Sequence, residues 1–238
     1  MMKLVMFDID GTLTESNHLD DESYLQALYE VFGFSEVSSD WTSYTHVTDA
    51  CIFKEVFQSK LGRIPSFREV EAFQQRFLEL LVNGAQASGG VKAIPGSSDM
   101  LKKLLASGEY PIAYAGGGWA ASAIFKLKSA HLPIDNIPCA FSDDDESREG
   151  IMAIAHSRAE TYYNRLLSEV VYIGDGVWDI RSAQKSGYSF IGIASDNQAK
   201  ALFNEGATDV FPNYDDYESF LLALKKATEM QKNQQFLT

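Results

Sequence analysis

The chain is poor in cysteine, poor in basic residues and free of any long apolar run, and each shortage removes a class of protein. Two thiols among 238 residues, Cys51 and Cys139, stand far apart and suit neither a disulfide framework nor a cysteine cage for a metal. They read as small buried hydrophobes in a reducing compartment. The 20 Lys and Arg are outnumbered by 33 Asp and Glu, for a formal net charge of −13. That surplus of acid excludes a protein that grips nucleic-acid backbones. No segment approaches the roughly 18 consecutive apolar residues of a membrane span. The apolar start, Met1 to Phe7, is cut short by Asp8 and Asp10, so it reads as structure and not as a signal peptide. The expectation is a cytoplasmic monomer or homodimer with no nucleic-acid or membrane partner.

What is there is an ordinary globular composition, 45% hydrophobic and 22% charged, with no internal repeat and no low-complexity tract. Short apolar runs, each with Gly or Asp in the loop just beyond it, read as buried strands: Lys3 to Phe7, Pro111 to Ala115, Pro138 to Phe141, Glu169 to Ile173 and Ser189 to Ala194. Helical patterns lie between them. Met100, Leu101, Leu104 and Leu105 recur at helix spacing after Ser97 or Ser98 as N-cap, with Gly108 closing the segment. Others are expected over Trp119 to Ser129, Arg148 to Leu167 and Trp178 to Lys185. This alternation predicts an α/β fold with a doubly wound parallel sheet, whose sites sit beyond the carboxyl ends of the strands.

Residues 17–89 have a different texture, with no strong strand candidate and three helical stripes. They are Tyr24, Leu25, Leu28, Val31 and Phe32, then Ile52, Phe53, Val56 and Phe57, then Val70, Phe73, Phe77, Leu80 and Leu81. The third follows a capping-box pattern, Ser66-Phe-Arg-Glu69. The segment reads as a separate α-helical unit inserted into a core of residues 1–16 and 90–238, with Thr14 to His18 and Gly84 to Gly90 as connections. The tail after Lys226 has no clear pattern and is expected to fray.

Carboxylates dominate the candidate chemistry. Asp8 and Asp10 follow a buried strand at i and i+2, which places both on one side, aimed toward one point. A second pair, Asp175 and Asp179 in Gly-Asp-Gly-Val-Trp-Asp, follows another apolar run and enters a helix. If both strands are central in one sheet, four carboxylates converge, and a hard cation such as Mg2+ is the natural counter-charge.

Asp-Ile-Asp-Gly-Thr near the start and Gly-Asp-x-x-x-Asp late in the chain resemble the haloacid dehalogenase superfamily, phosphoglycolate-phosphatase-like with an α-helical cap over the core. The resemblance implies Asp8 as nucleophile and Asp10 as general acid, then base. It implies Mg2+ held by Asp8, Asp175 and the backbone carbonyl of Asp10, with Asp179 acting through water. Thr12 and Gly11 would shape the phosphate loop, and Arg148 would steady the nucleophile and the phosphoryl charge. The substrate implied is a small phosphorylated metabolite, with phosphoglycolate as the family-level example.

The sequence departs from the pattern where a Ser or Thr should end the second strand, because the matching position is Ala115. Losing such a donor typically costs about 3 kcal/mol of transition-state stabilisation unless the N–H groups of Gly116 and Gly117 substitute. In the insert, Tyr44-Thr-His46-Val-Thr48-Asp49 resembles the substrate-facing cap segment, with His46 as an anion reader and Thr48 as a helix N-cap. Trp119 either packs under the cap or touches substrate. Alternatives of the same fold are a binding protein without turnover, a phosphosugar mutase, and a phosphonate hydrolase using Lys54 or Lys60.

Overall fold

A computed structural model describes residues 3–235. Six strands form one parallel sheet: β1 (Lys3–Phe7), β2 (Ile112–Ala115), β3 (Cys139–Ala140), β4 (Glu169–Gly174), β5 (Ser189–Ile193) and β6 (Val210–Phe211). Their spatial order is β3-β2-β1-β4-β5-β6, so the chain reverses direction at β1, which is flanked by β2 and β4. A crevice opens beyond the carboxyl ends of strands at such a switch point. The doubly wound α/β fold read from the sequence is the one observed.

The central strands are buried on both faces, and their pleat sorts side chains into two apolar layers. Val5, Phe7, Ile112, Tyr114, Val171 and Ile173 belong to one layer. Leu4, Met6, Ala113, Ala115, Val170 and Tyr172 belong to the other. The first is covered by α4 (Ser97–Ser107), α5 (Ala120–Ser129) and α9 (Tyr217–Gln235). The second is covered by α6 (Arg148–Tyr163), α7 (Val177–Lys185) and α8 (Asp196–Asn204). Among the described residues no helix is long and apolar enough to cross a membrane.

Residues 17–89 contain α1 (Asn17–Phe32), a 3-10 turn (Trp41–Ser43), α2 (Asp49–Leu61) and α3 (Phe67–Ala87), with no strand. Their three stripes meet in an aromatic cluster of Tyr24, Phe53, Phe57, Phe73 and Phe77, in which Phe53 and Phe73 stack at 4.5 Å. Trp119 from the core is buried in this cluster, so it packs under the insert. The capping box opens α3, where the Ser66 N–H donates to Glu69 Oε2 at 2.7 Å.

Several expected boundaries move. Gly84 lies inside α3, where it lets α1 approach closely: a Cβ there would collide with Leu19. Helix α4 has Gly96 at its N-cap, because the Ser97 hydroxyl instead donates to Leu13 O at 3.3 Å, tying the helix to the loop after β1. Helix α6 stops at Tyr163, where Asn164 turns left-handed at φ 49°. Beyond Lys226 the backbone continues as helix α9 to Gln235 instead of fraying at once. The short β6 and helix α8 had no distinct signature in the sequence.

Candidate active site

Strand β1 ends at Phe7, and Asp8 keeps the phase of Leu4 and Met6, which directs it to the layer covered by α6. The first residue of α6 is Arg148, whose Nη1 donates to Asp8 Oδ1 at 3.1 Å and to Asp179 Oδ1 at 2.8 Å. Thr12 Oγ1 donates to the other oxygen of Asp8 at 3.3 Å. Asp175, at the end of β4, accepts from Asn17 Nδ2 at 3.1 Å and Gln198 Nε2 at 3.0 Å. The Gly176 N–H donates to Asp179 Oδ2 at 2.9 Å, which fixes that carboxylate in the first turn of α7.

Asp8, Asp175 and Asp179 each place a carboxylate oxygen within 4.8 Å of the others, and all three are buried. Burial, then the charge of Asp179, pushes the Asp8 pKa up to about 7. Burial, then Asp179 and Asp8, holds Asp175 well above the ordinary carboxylate range. Burial works against the charge of Arg148, but Asp179 and Asp8 outweigh it and raise its pKa. Three buried oxygen donors with one guanidinium between two of them fit a hard divalent cation.

Asp10 does not join this group with its carboxylate. The chain turns immediately after Asp8, with the N–H groups of Leu13 and Thr14 both donating to Ile9 O, so the strand periodicity that would aim Asp8 and Asp10 together is lost. Asp10 Oδ1 accepts from Ser16 Oγ at 2.5 Å and Oδ2 from Lys126 Nζ at 2.6 Å. Gly11 makes the turn possible: its φ is 73°, and a Cβ there would collide with Asp175 Oδ2.

The loop after β2 corrects the position of the missing hydroxyl. Ala115 is 1% exposed and packs among Met6, Ala113 and Ala140, while its carbonyl accepts from Tyr172 OH at 2.7 Å. A Cβ built on Gly116 would instead stand 3.6 Å from Asp8 Oδ1. The residue facing Asp8 is therefore Gly116, one step past the strand, where the chain leaves the pleat. The Gly116 N–H donates to Ala140 O at 3.3 Å, which removes it as a phosphate donor. Gly117 lines the cleft and is pinned, since a Cβ there would lie 2.7 Å from both Arg148 Nη2 and Val47 O.

In front of Asp8 lies a cleft of about 210 Å³ between the sheet edge and the insert. Val47, Thr48 and Asp49 line it, but His46 does not: its Nδ1 lies 4.0 Å from Glu149 Oε2, on α6. Thr48 caps α2 by accepting from the Cys51 N–H and also donates to Glu146 O at 2.6 Å, joining insert to core. Lys54 pairs with Glu146, and Lys60 donates to Ser35 O, so neither lines the cleft as a Schiff-base lysine would.

Two charged residues beside the cleft had been given no role of their own from the sequence, Lys126 and Asp49. Lys126 on α5 is 0% exposed and binds Asp20 Oδ1 at 2.5 Å as well as Asp10. Burial works against its charge, but Asp10, Asp20 and Asp49 outweigh that and raise its pKa. The available signal was helical phase, since Lys126 shares the buried face of α5 with Ser122 and Ala123. Asp49 accepts the Trp119 N–H at 2.9 Å and donates its own N–H to Gly117 O at 2.8 Å.

Residues 2–187 match the family profile described as haloacid dehalogenase-like hydrolase. The chain belongs to this family. Among curated proteins, no sequence matches it. As a haloacid dehalogenase-like hydrolase it has many structural relatives. One is described as a beta-phosphoglucomutase from Bacteroides vulgatus, with TM-score 0.70 and 19% identity over 95% of this chain and 90% of that one. A hydrolase from Pseudomonas syringae has TM-score 0.67 and 19% identity over 87% and 92%. A predicted phosphoglycolate phosphatase from Haemophilus somnus has TM-score 0.63 and 16% identity over 92% and 98%. At these identities the likeness is one of fold.

Proposed function

We propose that the protein is a Mg2+-dependent phosphomonoesterase that hydrolyses a small phosphorylated metabolite through an aspartyl phosphate on Asp8. One observation carries the reading: Asp8 is a buried carboxylate at the end of the central strand, held by Arg148, with two further carboxylates beside it and a cleft in front. An oxygen of Asp8 would attack phosphorus while the ester P–O bond breaks and Asp10 gives its proton to the departing alkoxide. Water would then attack the same phosphorus, losing a proton to Asp10 as the bond to Asp8 breaks. Arg148 keeps Asp8 in place, and its Nη2, beside Gly117, would donate to the phosphoryl oxygens. Asp8, Asp175 and the Asp10 carbonyl would hold Mg2+, with Asp179 behind them; bound there, the ion would neutralise phosphoryl charge. The two free thiols fit a cytoplasmic setting.

The test is phosphate release from a panel of small phosphate esters with Mg2+ and with EDTA, alongside Asp8→Asn. The expected result is metal-dependent release that falls by about 10⁴-fold or more in the variant, as when one member of a nucleophilic unit is removed. A second reading, an anion-binding protein without turnover, is favoured by the absence of a hydroxyl at Gly116. Inorganic phosphate that binds while no ester is hydrolysed would select it.

A further inference from the structure

The wall that the insert gives the cleft is acidic and aromatic. Asp20, Asp21 and Asp49 line it with Tyr24 and Trp41, and Trp178 closes it from the core side. Positive charge on this wall is already committed. Lys126 lies beneath the lining, shared between Asp10 and Asp20, and Arg148 is held by Asp8 and Asp179. Among the described residues lining the cleft there is no other Lys or Arg, and no His.

Asp21 and Asp49 are each held through one carboxylate oxygen. Asp49 is 8% exposed; its Oδ2 accepts the Trp119 N–H, and its Oδ1 is left without a protein donor among the described residues. Asp21 Oδ1 accepts from Trp41 Nε1 at 2.9 Å, which leaves its second oxygen in the same condition. Tyr24 OH donates to Asp49 O at 2.8 Å, and its ring meets Trp41 edge-on at 5.9 Å, so the wall is one connected unit. A Cβ built on Gly118 would stand 3.6 Å from Asp49 Oδ2 and 3.7 Å from Asp10 Oδ2, which places Asp49 next to the acid that serves the leaving group. Burial, then the neighbouring charge of Asp20, holds the Asp49 acid well above its ordinary range, so a cation seated beside it would favour its charged form.

Building on the phosphatase reading, we propose that the substrate is a phosphorylated amine, a phosphate monoester whose leaving group carries an ammonium that Asp21 and Asp49 receive against the rings of Tyr24 and Trp41. Each open carboxylate oxygen accepts a charge-assisted hydrogen bond from such a group, and an aromatic face adds cation–π attraction. A leaving group with its own carboxylate, as in phosphoglycolate, would meet three like charges. The second phosphoryl group of a sugar bisphosphate would find no cation to receive it, which sets this wall against a bisphosphate-dependent mutase.

The test compares matched esters with Mg2+ present: 3-aminopropyl phosphate against propyl phosphate and phosphoglycolate, and glucosamine 6-phosphate against glucose 6-phosphate. The amine of each pair should exceed its neutral partner in kcat/KM by about tenfold or more, the worth of one hydrogen bond to a charged group. That ratio should shrink in Asp21→Asn, a readout that a general loss of folded enzyme does not move. Equal rates within pairs, or preference for the acidic ester, would overturn the proposal while leaving the phosphatase reading intact. If no ester is hydrolysed the phosphatase reading falls, and the tryptophan fluorescence of the intact protein then decides the wall by itself. Saturable quenching by 3-aminopropanol and not by glycolate supports an amine site, and no response to 3-aminopropanol overturns it.

Discussion

Lys126 Nζ, fully buried on α5, sits 2.6 Å from Asp10 Oδ2, so the acid and base of the proposed reaction is held by a cation that another carboxylate, Asp20 of α1, also holds. One ammonium thus joins the core to the insert at the catalytic loop. Breaking a buried pair by removing one partner typically costs about 3–5 kcal/mol, because the charge left behind is uncompensated. Lys126→Met should lower the unfolding midpoint accordingly, and adding Asp20→Asn should recover part of the loss. Hydrolysis of alkyl phosphates, which need Asp10 as acid, should fall further than hydrolysis of p-nitrophenyl phosphate, which does not. Wild-type stability in Lys126→Met would show that the pair contributes nothing net.

Gly116, not Ala115, is where a hydroxyl would face Asp8. The nearest atoms to a Cβ at Gly116 lie at 3.5 and 3.6 Å, ordinary contact distances. Gly116→Ser is expected to raise kcat, by up to about 10²-fold if one preorganised donor is what the site lacks. Ala115→Thr should instead lose about 1–3 kcal/mol of stability, since it forces volume into a packed layer. Steady-state kinetics and chemical denaturation of the two variants separate these outcomes.

Gly117→Ala tests the contact between the glycine loop and the guanidinium. The added methyl would stand 2.7 Å from Arg148 Nη2 and from the Val47 carbonyl, so the guanidinium or the insert must shift. A misplacement of about 1 Å can lower a rate 10²-fold. The expected result is a fall in kcat of that order with little change in far-UV circular dichroism, and an unchanged kcat would show that the loop yields freely.

Glu69 gives a pH dependence whose sign is fixed. Hydrogen bonds from Arg63 first, then Ser66, hold its carboxyl down at about 2, against an ordinary 4.5. A depressed acid contributes stability above its unfolded pKa and loses it as pH falls through the folded value. The wild type should therefore exceed Glu69→Gln in urea midpoint at pH 6, and the gap should close between about pH 4.5 and 2. A gap that persists at pH 2 would mean that the charge of Glu69 is not its source.

Strands β1 to β5, the helical insert and the carboxylates at the ends of β1 and β4 were legible because their signals are local. Four apolar residues followed by Asp, or Phe and Leu at helical spacing, state a burial preference wherever they occur. The resemblance to the haloacid dehalogenase family added roles for Asp8 and Arg148, which the structure brings to 3.1 Å although 140 positions separate them. Local pattern could not say that the chain turns just after Asp8, so the shared aim of Asp8 and Asp10 was lost. Nor could it say whether Ala115 or Gly116 faces the nucleophile, because a strand's end is set by hydrogen bonding to its neighbours.

The sequence alone determined the α/β architecture, the helical character of residues 17–89 and the supply of carboxylates, since each follows from composition and periodicity within one element. Only the tertiary structure decided how those charges are shared. Lys126 comes to Asp10 and Asp20, His46 is turned toward Glu149, and Asp21 and Asp49 are left facing the cleft, because pairing of buried charges depends on which elements meet and not on what any one of them contains.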